Sequence, residues 1–76
     1  MQVMIKTIDN GDYTVYIGSE QSFIDYIKEY AKEVAPAHVD FQHMDDKWEL
    51  ATQWNQYAWD TDVGAYFSFH DTEDLQ

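Results

Sequence analysis

The chain has 76 residues, neither cysteine nor arginine, and fifteen acids against four lysines, a formal net charge of −11. That length holds one domain with a small core, and no disulfide can staple it. A surface so anionic repels DNA, RNA and acidic lipid, which excludes direct binding to any of them as the function.

The acids are unevenly spread. Residues 1–34 carry six acids and three lysines, net −3, whereas residues 35–76 carry nine acids and one lysine, net −8. Phe, Tyr and Trp make up 17% of the chain, which separates it from acidic disordered segments and supplies large rings to a small core. One folded domain over 1–76 is expected, in a soluble, cytoplasmic protein. Residues 1–8 are too short and too interrupted for a signal sequence or a membrane span.

Residues 2–8 (QVMIKTI) are rich in β-formers and run into Asp9-Asn10-Gly11-Asp12, then Tyr13-Thr14-Val15-Tyr16-Ile17. Two strand-like runs around Asn-Gly predict a hairpin, because both residues tolerate the positive φ of such turns. Gly18-Ser19 ends the second strand. Ser22 then reads as an N-cap with Asp25 three residues on, and Phe23, Ile24, Ile27, Ala31 and Val34 recur at helical spacing, flanked by Tyr26 and Tyr30. The spacing predicts a helix over 22–34, stopped by Ala35-Pro36. Residues 38–42 read as a short strand or an extended link. Asp45 or Asp46 opens a second helix through Trp59, with Trp48, Ala51, Trp54 and Ala58 on the inner face and Asp45, Asp46 and Glu49 at the end where the helix dipole favours negative charge. Asp60 to Gly64 reads as a turn and Ala65 to His70 as a strand, with residues 71–76 as a fraying acidic tail. The expected fold is α+β, a small and mostly antiparallel sheet with two helices in the order β-β-α-(β)-α-β.

Motifs for catalysis are lacking: there is no nucleophile elbow, and the three glycines are too scattered for a phosphate loop. His38, His43 and His70 have carboxylates nearby in sequence, Asp40 beside His43 among them, without a spacing that specifies chemistry. Asp60-x-Asp62-x-Gly64 begins like a calcium loop, but Ala65 stands at the sixth position and Asp71 at the twelfth, so it reads as a turn whose aspartates accept backbone hydrogen bonds. No enzyme activity, metal or cofactor is assigned. Trp59, beside Asp60 and off the inner stripe, is the tryptophan expected at the surface, and Tyr13 and Tyr16 flank the hairpin turn. Exposed aromatics among acids make a binding surface. Asp40, Asp45, Asp46, Glu49, Asp60, Asp62 and Asp71 are the candidate carboxylates, with Trp59, for engaging a basic protein surface.

In size, charge and α+β order the chain resembles small phage or mobile-element proteins that block host defence enzymes: anti-CRISPR proteins, antirestriction DNA mimics and uracil-DNA glycosylase inhibitors. That resemblance implies occupation of a basic nucleic-acid-binding protein or nuclease complex by carboxylates, inside an infected or host bacterial cell, with the inhibitor a monomer or homodimer. Locally, Asp45-x-x-Trp48-Glu49-x-x-Thr52-x-Trp54 resembles the inhibitory helix of barstar-type ribonuclease inhibitors. By that likeness Asp45 and Glu49 would fill the enzyme's phosphate sites, with Trp48 alongside. Lys47 and Ala51 depart from it by standing where apolar core leucines belong, and Val39 by standing in place of an interface tyrosine. The alternative reading is a generic interaction module that binds through its aromatics, with the acids serving solubility.

Overall fold

The computed structural model describes residues 2–36 and 39–72, in the order β-β-α-α-β. Strand β1 (Gln2–Ile8) is central and pairs antiparallel with β2 (Tyr13–Ile17) on one side and with β3 (Ala65–Asp71) on the other. Helices α1 (Glu20–Val34) and α2 (Lys47–Asp60) occupy one face of this sheet. The α+β class and the antiparallel sheet match the reading of the sequence.

The hairpin turn works as its residues require. Gly11 sits at φ 93, its N–H bonds to the Ile8 carbonyl at 2.9 Å, and the Asp12 N–H bonds to the Asn10 side chain at 3.0 Å. Helix α1 begins earlier than the sequence pattern implies. Ser19, not Ser22, is its N-cap and accepts the Ser22 N–H at 3.1 Å. Asp25 takes no part in the cap and accepts from the Gln21 amide instead. The helix ends as anticipated, with Ala35 driven to ψ 147 by the proline after it. Helix α2 is capped by Asp46, whose carboxylate accepts the Glu49 N–H at 2.9 Å.

The core is aromatic. Trp54 is fully buried and donates its indole N–H to the Ala65 carbonyl at 2.9 Å. Around it pack Phe41, Tyr30 and Phe67, with ring centroids 5.5 to 6.3 Å away. Met4, Phe23, Ile24, Ile27, Leu50 and Phe69 complete the cluster. Two basic side chains are drawn into it. Lys6 lies 4.0 Å over the Tyr30 ring, while buried Lys47 pairs with Glu20 at 3.4 Å and with the Gln2 amide. Lys47 and Ala51, two of the three departures from the barstar pattern, are both buried.

Several expectations give way. Residues 39–46 form turns and link the helices without a strand; position 38 lies outside the described residues. Val34, the last residue of α1, is 39% exposed and leaves the buried stripe. Trp48 is 54% exposed and only leans edge-on against Phe69, since Leu50, Ala51, Trp54 and Ala58 fill the inner face of α2. Asp71 belongs to β3, paired with Gln2, and not to a frayed tail; 73–76 lie outside the described residues.

Candidate functional site

All eight residues singled out from the sequence, namely Asp40, Asp45, Asp46, Glu49, Trp59, Asp60, Asp62 and Asp71, are exposed. The fold sorts most of them into two groups. The loop 39–46 runs back along α1 and delivers Asp45 and Asp46 to the amino end of α2, while Asp40, at the start of that loop, stays beside the last turns of α1, where its neighbour Phe41 packs on Trp54 and Tyr57. Lys28 holds Asp45 at 3.5 Å, although the Asp45 side chain keeps 96% of its exposure. Because β3 returns antiparallel alongside α2, with Phe69 against Trp48, Asp71 joins this end as well. Asp60 and Asp62 lie at the opposite end, past the last turn of α2. At 1.5 Å per residue the 14-residue helix separates the two groups by about 21 Å.

Three of the carboxylates have further restraints of their own. Asp40 is held below its ordinary pKa, first by the Gln42 backbone N–H at 2.8 Å and next by His43, whose Nδ1 is 3.2 Å away. Asp46 is committed to the helix cap. Asp60 accepts from the Gln56 side chain at 3.1 Å, so the expectation that this turn is held by aspartates taking backbone bonds is replaced by a side-chain contact. The turn bends instead through left-handed backbone at Asp62, φ 60, and Gly64, φ 73.

Residues absent from the sequence-level set join both ends. Glu20 comes to the amino end of α2 through Lys47. Asp9 comes to the other end, where its N–H bonds to the Gly64 carbonyl at 2.9 Å. Burial first, and then the charges of Asp9 and Asp62, raise the Tyr66 phenol above its ordinary value. Neither neighbour was legible locally, because each meets its group only through strand pairing or helix packing.

Aromatic exposure gives α2 a second feature. Trp48 and Trp59 are eleven residues apart, three turns of helix, and therefore lie on nearly the same side about 16 Å from each other. Trp59 is 73% exposed, the surface position anticipated for it. Between the two indoles Thr52, Gln53 and Gln56 are exposed, with Glu49 and Asp60 on the adjoining line. Tyr13 is likewise at the surface, 67% exposed. Tyr16 is not a surface contact: its hydroxyl meets that of Tyr26 at 2.9 Å, and this bond followed by burial raises its pKa.

Other chemistry is sparse. His70 Nε2 lies 2.8 Å from Ser68 Oγ on the outer face of β3, a pairing that follows from their two-residue spacing on one strand face. Among the described residues no three His, Asp or Glu side chains are gathered to hold a metal ion. None of the helices there is long and apolar enough to cross a membrane.

No protein-family model, characterised protein or solved structure matches this chain.

Proposed function

We propose that the protein is an acidic, nucleic-acid-mimicking inhibitor that occupies the basic nucleic-acid-binding site of a partner enzyme or nuclease complex. One observation carries this reading: the outer side of α2 presents two exposed indoles in line, with exposed carboxylates beyond each end. Asp45, Asp46 and Glu49 stand at one end and Asp60 and Asp62 at the other. Their separation of about 21 Å matches roughly six base-pair steps of a duplex at 3.4 Å each. A groove lined with Lys and Arg to meet phosphates over that distance can meet these carboxylates instead, while Trp48 and Trp59 supply the desolvated anchors on which affinity depends. The setting that suits such a protein is a bacterial cytoplasm in which a phage or mobile element must silence a defence enzyme, as anti-CRISPR and antirestriction proteins do.

Exposed Trp59 and Trp48 also favour a second reading, a protein-interaction module driven by its aromatics with the acids as solubilisers. A barstar-like nuclease inhibitor using Asp45, Trp48 and Glu49 is a special case of the first.

The test is capture of partners from bacterial lysate in low and high salt, with and without competing DNA. Recovery of nucleic-acid-binding proteins, released by salt and displaced by DNA, is expected, because the long-range attraction shrinks with the Debye length. Asp45→Lys with Glu49→Lys should slow association roughly tenfold or more, mainly in the on-rate. Capture indifferent to salt, DNA and both substitutions, but lost in Trp59→Ala, would establish the second reading in its place.

A further inference from the structure

The two edges of the sheet are treated differently. Along β3 the first half of the outer edge is blocked by α2: the Asn55 side chain donates to the Phe67 carbonyl and accepts the Phe67 N–H, both at 2.9 Å, while the Trp54 indole donates to the Ala65 carbonyl. Asn55 thus acts as a one-residue strand. Among the described residues nothing comparable occurs along β2. Tyr13, Thr14, Val15 and Ile17 are all exposed, and the segment holds no charge, proline or bulge, the devices that usually blunt an edge.

That edge is built to meet a copy of itself. The Ile8 N–H donates to the Asp12 carbonyl at 2.9 Å, which makes Ile8 and Asp12 a hydrogen-bonded pair. Alternation along an antiparallel ladder then turns the main-chain groups of Tyr13, Val15 and Ile17 away from β1. Their side chains lie together on the sheet face opposite the helices, 67%, 43% and 74% exposed. That face consists of Val3, Ile5, Thr7, Tyr13, Val15, Ile17, Tyr66, Ser68 and His70, with no carboxylate or lysine in a chain of net charge −11.

We infer that β2 pairs antiparallel with β2 of a second copy about a two-fold axis at Val15, joining two three-stranded sheets into one of six. In this register Val15 faces Val15, and Tyr13 faces Ile17 at both ends, so every outward N–H and C=O of the three residues finds a partner and the apolar side chains meet across the seam. Charge also fits. Asp12 comes opposite Gly18 of the other copy, beside Ser19 and the positive end of the α1 dipole, while Glu20 in that first turn is already paired with Lys47. β2 itself carries no acid. With β3 blocked by Asn55, assembly stops at two chains and does not run on into a fibre. A five-residue ladder is only about 17 Å long and falls short of the roughly 800 Å² per partner of a standard interface. The dimer is therefore weak and reversible, and salt strengthens it by screening the repulsion between two acidic chains, opposite in sign to the salt effect on a basic partner.

This inference is independent of the inhibitor reading, because it uses the β2 edge and the sheet face opposite the helices, and none of the α2 residues on which that reading rests. The experiment is sedimentation equilibrium of the full chain from low micromolar to millimolar concentration, in low and high salt. Two variants accompany it: Val15→Pro, which removes an outward N–H that β1 does not use, and Ile17→Lys, which places a cation on the seam. Circular dichroism checks that each keeps its fold. A reversible dimer is expected, tighter in high salt and weakened roughly tenfold or more in each variant. A monomer at millimolar concentration, or a dimer that survives either folded variant unchanged, overturns the inference.

Discussion

Asn55 offers the sharpest test of how this small domain is held together. Its amide satisfies both main-chain groups of Phe67, each at 2.9 Å, at the middle of β3. Removing it in Asn55→Ala deletes two hydrogen bonds worth about 1 kcal/mol each and leaves a partly buried N–H and C=O facing a side chain that cannot answer them, for a total loss of about 2–4 kcal/mol. A domain of 76 residues has roughly 4–11 kcal/mol in all, at 0.05–0.15 kcal/mol per residue. The variant should therefore melt about 8–32 °C lower, at 4–8 °C per kcal/mol for this size. Its urea midpoint should fall with the slope unchanged. Asn55→Asp separates hydrogen bonding from packing. It has the same shape and keeps an acceptor for the Phe67 N–H, but it sets a carboxylate oxygen against the Phe67 carbonyl. It should be destabilised as well. A loss under about 0.5 kcal/mol in Asn55→Ala, or wild-type stability in Asn55→Asp, would refute the edge-closing role. Opening this edge should also add species larger than a dimer at high concentration, because both sides of the sheet then become available for pairing.

Three further outcomes follow from the same geometry. Gly64→Ala puts a side chain at φ 73 and drives its Cβ into the Asp9 carboxylate, so thermal melts should show a loss of about 1–3 kcal/mol. Asp46→Ala should cost about 1 kcal/mol by uncapping α2, whereas Asp46→Asn, still able to accept the Glu49 N–H, should cost little; urea unfolding distinguishes the two. Tyr66 and Tyr16 have phenols raised above their ordinary 10.0. A raised phenol favours the folded state while neutral, so this contribution is complete below pH 10.0 and is lost as pH rises through the folded values. Spectrophotometric titration should find two late-ionising tyrosines, and Asp9→Asn with Asp62→Asn should make Tyr66 ionise earlier.

Much of this arrangement was written in local patterns. Asn10-Gly11 between two β-rich runs specified the hairpin, and the proline at 36 specified where α1 stops, because turn dihedrals and pre-proline sterics act over two or three residues. Cap choice was less secure. Ser19 and Ser22 are both competent caps, and Ser19 prevails because its carbonyl and hydroxyl engage Ser22 together, at 2.7 and 3.1 Å. The orientation of α2 was harder still. Trp48 and Trp54 have similar claims to the core by periodicity, and only the positions of Phe67 and Ala65 decide that Trp54 goes in while Trp48 stays out.

From its sequence alone the chain is an acidic, aromatic-rich α+β domain whose carboxylates crowd its second half, since composition and short-range periodicity are properties of neighbouring residues. Tertiary structure decided that most of those carboxylates divide between the two ends of α2, that Glu20 and Asp9 join them, and that one sheet edge is blocked by Asn55 while β2 is bare among the described residues. Such facts depend on which residues meet after the chain has folded back across more than ten positions, and no local pattern records them.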